Sequence, residues 1–357
     1  MSLPPRVWKG EEGSQLFFHY EELVFYFTKM LYDNYNRKID YLRISVTDRC
    51  NLRCVYCMPS WGISHKPNSS ILSFEEIHKI VEVAIGLGIE KVRLTGGEPL
   101  VRKGLPLLIE RLKKIGGLKE ICLTTNGIYL GEYAPSLKEA GLDRINISLD
   151  SLDFKKFESI TRGGDLDAVL QGIDSCFSAG FHSLKINTVL LKGFNTDEII
   201  DFALFTKGRP VHVRFIEYMP TNLENLAYDE LFFSANEAKD ICGSLGRLEP
   251  MDYAGPGTAR VFRINNYLGT VGFISPISEP FCSSCNKLRL TSDGFLRSCL
   301  HSPRSINLKE RIESGASNQD LAGLIQEAVL MKPESHNLQS APVDLNSEKF
   351  SMCQIGG

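Results

Sequence analysis

Cys50, Cys54 and Cys57 stand in "DRCNLRCVYCMPS" with the spacing C-x3-C-x2-C. An odd number of thiols this close together is a poor disulfide framework and one ligand short of a tetrahedral zinc site. Near the other end of the chain, Cys282, Cys285 and Cys299 form a second group, C-x2-C-x13-C, again three thiols without an obvious fourth. His301 could complete a zinc site there, and that alternative stays open on residue type alone. A [4Fe–4S] cluster takes four thiolates when electron transfer is its only task. With three, one iron is free to bind a small molecule. The other cysteines, Cys122, Cys176, Cys242 and Cys353, are isolated and read as unliganded thiols.

The composition suits such chemistry. The chain has 357 residues, is 43% hydrophobic and 23% charged, and carries a formal net charge of -3. That describes a globular protein with an ample core. Nothing in the charge balance suggests a nucleic-acid or membrane-surface binder, so any basic site must be local. Ten cysteines without a secretory signal favour a reducing compartment, hence a cytoplasmic protein. The apolar stretches fall far short of the ~20 residues that a spanning helix needs.

The thiols need a scaffold. From residue 40, β-like runs alternate with helical ones: "YLRISV", "KVRLT", "ICLTT", "RINISLD", "SLKINTVLL" and "VHVRFIEYM". Helices are expected between them, one opened by the capping box Ser73–Glu76, others near 133–140 and 167–179, and one after Thr196 and Asp197. This reads as a parallel α/β layout. Period two puts Tyr41, Arg43 and Ser45 on one face of the first strand, and Leu42, Ile44 and Val46 on the other. Lys91, Arg93 and Thr95 share such a face, as do Asn146, Ser148 and Asp150, and Lys185 with Asn187. Parallel strands buried on both faces would be apolar throughout. An open or partial barrel around a polar ligand is expected, with charged edge positions on a doubly wound sheet as the alternative. After about residue 235, antiparallel strands are expected around Asn265-Asn266 and Asp293-Gly294, the latter a hairpin that returns Cys299 toward Cys282 and Cys285. Four regions follow: 1–35, an aromatic-rich extension or a start placed upstream of Met30; 36–235, the partial barrel; 236–340, the second-triad region; and 341–357, a tail ending in Gly-Gly.

"CNLRCVYC", with Tyr56 before its third cysteine, and "TGGEP" at 95–99 resemble the motifs of radical S-adenosylmethionine (SAM) enzymes. With the second triad, "CNKLRL" and the terminal "IGG", the chain from about residue 36 to 357 resembles the MoaA family of GTP 3',8-cyclases of molybdenum-cofactor biosynthesis. The resemblance implies a partial (β/α)6-type radical SAM barrel, with a C-terminal α+β region carrying a second cluster. It implies two [4Fe–4S] clusters, on Cys50, Cys54 and Cys57 and on Cys282, Cys285 and Cys299. SAM would be cleaved at the first to a radical that takes hydrogen from ribose C3' of GTP. The C3' radical would close on guanine C8, and the second cluster would hold the guanine.

Under the same resemblance, Tyr56, Gly97, Ser148 and Met219 fall at SAM contacts. Arg43, Arg93, Thr124, Lys185, Lys287, Leu288 and Arg289 fall at GTP contacts, where the basic ones meet the triphosphate. The family usually has arginine where this chain has Lys287. Gly356 and Gly357 would enter the active pocket, against the plainer expectation of a frayed terminus. An electron donor and a downstream MoaC-type cyclic pyranopterin synthase are the implied partners, and a homodimer stays open. The alternative activity is that of another radical SAM enzyme with an auxiliary cluster, acting on a peptide or cofactor. A non-enzymatic cluster-bearing or zinc-bearing scaffold is the other alternative.

Overall fold

The computed structural model describes residues 30–219, 228–251, 258–336 and 352–355. Six strands, β1 Tyr41–Ser45, β2 Lys91–Thr95, β3 Glu120–Thr125, β4 Arg144–Ser148, β5 Leu184–Leu190 and β6 Val211–Glu217, follow one another in the chain. They pair in parallel in the same order. Parallel neighbours need crossover connections, and the helices between the strands supply them.

Those helices form where their ends are signalled. In Phe74–Gly86, the Ser73 hydroxyl accepts from the Glu76 N–H while the Ser73 N–H donates to the Glu76 carboxylate. This is the capping box expected from the sequence. The Asp165 side chain caps Leu166–Ser178 in the same way, accepting from the Ala168 N–H. The helix expected near 133–140 is Leu130–Glu139. Proline favours a first turn, but here Pro135 lies further in, so the true start is earlier than the proline suggests. A helix at Phe154–Thr161, capped by Asp153, was not expected.

The C-terminal strands do not form a sheet of their own. β9 Thr270–Ile274 pairs in parallel with β6, and β8 Arg260–Ile264 and β7 Leu248–Pro250 add antiparallel beyond it. At the other edge, β10 Lys287–Leu290 pairs in parallel with β1, and β11 Phe295–Arg297 and β12 Ser305–Asn307 follow antiparallel. The result is one twelve-stranded sheet with two free ends, a partial barrel. The two hairpins expected at Asn265-Asn266 and Asp293-Gly294 are β8–β9 and β10–β11.

The sheet's outer face packs under the helices. Leu42, Ile44, Val92, Leu94, Ile145, Ile147, Leu184 and Ile186 are all in this core. Each such side chain, fully buried, contributes about 1.5–3 kcal/mol. Residues 30–40 belong to the same body: Leu31 is buried in the core, and Asp33 and Arg37 are buried beside it. The short helix Met352–Ile355 packs on β1 with Ile355 buried. Among the described residues, no helix is long and apolar enough to cross a membrane.

Candidate active site

The inner face of the sheet bounds a cavity of about 410 Å³. At one end lies the loop after β1, with Cys50, Cys54, Tyr56 and Cys57 on the cavity wall. Two other segments hold this loop in place. The Arg53 and Val55 N–H groups donate to the Thr161 and Ile160 carbonyls at 3.1 and 2.9 Å. On the other side, the Gly97 N–H donates to the Thr47 carbonyl at 2.7 Å and the Glu98 N–H to the Arg49 carbonyl at 2.8 Å. A Cβ on Gly97 would stand 2.3 Å from the Arg49 carbonyl oxygen, and one on Gly96 would stand 2.7 Å from that of Thr47. The glycine pair thus lets the β2 loop lie against the cysteine loop. Gly97, Ser148 and Met219 line the same cavity.

Two carboxylates tie this end together. The Tyr56 hydroxyl donates to Asp150 Oδ2 at 2.6 Å, and the Val189 N–H donates to Asp150 Oδ1 at 2.8 Å. Burial pushes the Asp150 pKa up to about 6. Glu98 accepts from the Leu100 and Asn126 N–H groups and the Thr125 hydroxyl. Burial pushes its pKa up to about 7 against those three donors, which favour the carboxylate.

Strand register sets the rest of the wall. Arg289, Arg43 and Arg93 are in-register partners across β10, β1 and β2, and Lys287, Tyr41 and Lys91 form the neighbouring row. Like charges in register repel one another. Burial and the Arg289 charge bring the Arg43 pKa down to about 9. Burial, with Arg214 and Arg144 nearby, brings Lys185 down to about 7. Lys287 falls to about 8, again mainly through burial. Arg93 donates to the Tyr41 hydroxyl, and its Nη1 donates to the Leu123 carbonyl and Thr124 Oγ1, each at 3.2 Å. The wall also carries two buried amide oxygens, Asn146 Oδ1 and Asn187 Oδ1, without a hydrogen-bond partner among the described residues. A desolvated row of cations beside open acceptors is suited to a polyanion bearing hydrogen-bond donors.

Comparison with known proteins agrees with this geometry. The description "Radical SAM superfamily" matches residues 44–206, and "Molybdenum Cofactor Synthesis C" matches residues 211–338. A GTP 3',8-cyclase of Pelotomaculum thermopropionicum is 48% identical over 327 residues, 91% of this chain and 99% of that protein. A GTP 3',8-cyclase of Petrotoga mobilis is 47% identical over 325 residues, with the same coverage. The chain belongs to the GTP 3',8-cyclase family. Among solved structures, Streptococcus suis SuiB bound to S-adenosylmethionine is similar in fold, with a TM-score of 0.52 and 15% identity over 91% of this chain and 74% of that one.

As a radical SAM protein, a member of this family uses SAM and a [4Fe–4S] cluster. The residues present fit them. Burial, with Asp150 and Cys50 close by, pushes the Cys54 thiol well up. A bare thiolate is unfavourable there, and iron's positive charge reverses that. Among the described residues, no three His, Cys, Asp or Glu side chains gather closely enough for one ion. A cubane cluster has its irons at separate corners, so its ligands stand farther apart than those of a single zinc.

The expected GTP contacts Arg43, Arg93, Thr124, Lys185, Lys287 and Arg289 all line the cavity. Leu288 does not. Its side chain is in the hydrophobic core, because period two turns it away from the face that Lys287 and Arg289 share. Only its main chain remains available to a ligand. Cys282, Cys285 and Cys299 are half-buried, and their chain neighbours Phe281 and Leu300 line the cavity. His301 packs on the His336 ring, with centroids 5.5 Å apart. Gly356 and Gly357 lie outside the described residues, just after the helix that packs on β1. Sequence reading missed Arg214, which lines the wall from β6, although "VHVRFIE" alternates as β1 does. It also missed Glu217, which accepts the Ala235, Ile277 and Ser278 N–H groups and the Ser278 hydroxyl, fixing the end of β6 before Met219.

Proposed function

We propose that this chain converts GTP to 3',8-cyclo-7,8-dihydro-GTP, an early step of molybdenum-cofactor biosynthesis; its relatives are named GTP 3',8-cyclases, and residues 211–338 match the description "Molybdenum Cofactor Synthesis C". The observation that carries this reading is one cavity lined both by a cysteine triad and by the Arg289–Arg43–Arg93 row. The bound cofactors supply one-electron cleavage of SAM, a chemistry that no side chain offers.

The side chains supply position. Tyr56, Gly97, Ser148 and Met219 form the SAM end of the cavity, with Asp150 orienting Tyr56. Arg43, Arg93, Lys185, Lys287 and Arg289, with Thr124, form the GTP end, where each charge-assisted bond to the triphosphate offsets repulsion already present among the cations. Arg214 joins them. A second [4Fe–4S] cluster would be held by Cys282, Cys285 and Cys299, which adjoin the cavity-lining Phe281 and Leu300 in the chain, and would bind the guanine. Gly356 and Gly357 would follow the helix on β1 into the cavity and fix the ribose against the radical. An external electron donor and a MoaC-type acceptor of the product complete the proposal.

Ring closure moves one hydrogen from C3' and returns one electron and one proton to the ring, so the product is an isomer of GTP. The test is anaerobic incubation with GTP, SAM and a reductant, followed by chromatography that resolves isomers. A new compound with the mass of GTP is expected. SAM cleavage with GTP recovered intact would overturn the proposal and favour the peptide- or cofactor-modifying alternative.

A further inference from the structure

Two buried cations outside the cavity close on the second cysteine triad. Arg37 is 7% exposed and Lys332 3%. Arg37 Nη1 donates to the Cys282 carbonyl at 2.8 Å and to that of Glu334 at 2.9 Å, and Nη2 donates to the Pro333 carbonyl at 2.6 Å. Its Nε donates to Asp33 Oδ2 at 2.5 Å, and Asp33 Oδ1 accepts the Tyr35 and Arg37 N–H groups. The Lys332 ammonium donates to the Lys287 carbonyl at 2.8 Å and the Ser298 carbonyl at 2.7 Å.

These carbonyls belong to the three segments that present the cysteines. One is that of Cys282 itself, one lies two residues after Cys285, and one directly precedes Cys299. Lys332 spans the β10–β11 hairpin near its open end, where Cys285 and Cys299 lie. Arg37 fixes the Cys282 turn and also Pro333 and Glu334, the residues that follow Lys332. A neutral donor could satisfy a carbonyl, whereas burying a cation costs several kcal/mol unless charge compensates it. Asp33 compensates Arg37. The carbonyls that Lys332 binds carry no charge, but its ammonium also hydrogen-bonds the Cys285 side chain, so its compensating anion lies in the triad itself. A cubane cluster on three thiolates is an anion and provides it.

We propose that Arg37 and Lys332 are positioning residues for a [4Fe–4S] cluster on Cys282, Cys285 and Cys299. Arg37 sets the turn that presents Cys282. Lys332 holds the hairpin that presents Cys285 and Cys299, and its buried charge raises the cluster's reduction potential. This rests on reading the second triad as a cluster site.

The test uses the full chain with Cys50→Ala, Cys54→Ala and Cys57→Ala, so that any cluster signal comes from the second triad. After anaerobic reconstitution, this parent should hold about four irons per chain. A parent without a cluster overturns the two-cluster reading itself, before Lys332 is touched. In a parent that holds one, Lys332→Met should lose iron to a chelator about 10–100-fold faster and show a more negative midpoint potential. Lys332→Arg should restore the potential. Arg37→Lys keeps the charge without the fork, and should speed iron loss while leaving the potential near the parent's. Parent-like potential and iron loss in Lys332→Met would overturn the proposal, as would a Lys332→Arg potential no closer to the parent's than that of Lys332→Met. If circular dichroism shows Lys332→Met unfolded, Arg37→Lys decides: parent-like iron loss overturns the proposal, and faster loss at an unchanged potential supports it.

Discussion

Burial and the cations around it bring the Lys185 pKa down to about 7, so under the proposed function it would sense the triphosphate. Below that pH it meets the triphosphate as a cation; above it, the proton must first be recovered. GTP affinity should therefore fall as pH rises from 6 to 8, by about tenfold for the loss of one charge-assisted bond. Lys185→Arg keeps its charge throughout and should show a shallower slope. Equilibrium binding of GTP to both proteins over that range measures the difference, and superimposable slopes would contradict this role. Lys287 is the other residue of note, because the family resemblance leads one to expect arginine there. Its ammonium lies 5.8 Å from the centroids of both the Tyr41 and Phe281 rings. A guanidinium can make the same cation–π contacts and add a planar fork. Lys287→Arg should be active in the GTP assay, and loss of activity with both clusters intact would show that the pocket has been rebuilt around lysine.

At the scale of the element, strand alternation made most of the cavity wall legible. The inward faces of β1, β2, β4 and β5 could be read from period two alone, and their charged residues line the cavity. Arg214 obeys the same rule on β6 and could have been read in the same way. Leu288 obeys it too and so points into the core; its expected place at the ligand came from the family motif and not from alternation. The helix Phe154–Thr161 was hidden by its shortness, although Asp153 with Phe154, Phe157 and Ile160 at threefold spacing was its signal. Gly97 could be marked from sequence, but what it approaches could not: the Arg49 carbonyl belongs to another loop, brought there by β1–β2 pairing. A methyl group cannot fit at 2.3 Å from a backbone oxygen, so Gly97→Ala must displace the cysteine loop. A shift of ~1 Å there should slow SAM cleavage about a hundredfold in folded protein. An unchanged rate of 5'-deoxyadenosine formation would show that the loop contact is dispensable. The tail is the opposite case, set by residues beyond the last described helix. Gly356→Ala or Gly357→Ala should preserve SAM cleavage and GTP affinity while cyclisation falls steeply. Full cyclisation after deletion of both glycines would return the tail to a frayed terminus.

Over the whole molecule, one sheet does two jobs. Its parallel strands carry the first triad and the proposed SAM contacts, and β10, which carries Lys287 and Arg289, pairs directly with β1. The long sequence separation between the triads therefore collapses onto neighbouring strands, a closure that sequence spacing could not reveal. Cys50→Ala, Cys54→Ala or Cys57→Ala should abolish SAM cleavage. Cys282→Ala, Cys285→Ala or Cys299→Ala should retain part of it and lose cyclisation. Equal loss in both sets, in folded protein, would contradict this division. The most direct measurement of the central claim is the fate of the hydrogen at ribose C3'. With 3'-deuterated GTP, SAM and a reductant under anaerobic conditions, the 5'-deoxyadenosine formed should carry the deuterium, and the cyclised isomer of GTP should lack it. Unlabelled 5'-deoxyadenosine beside fully deuterated GTP would contradict the account.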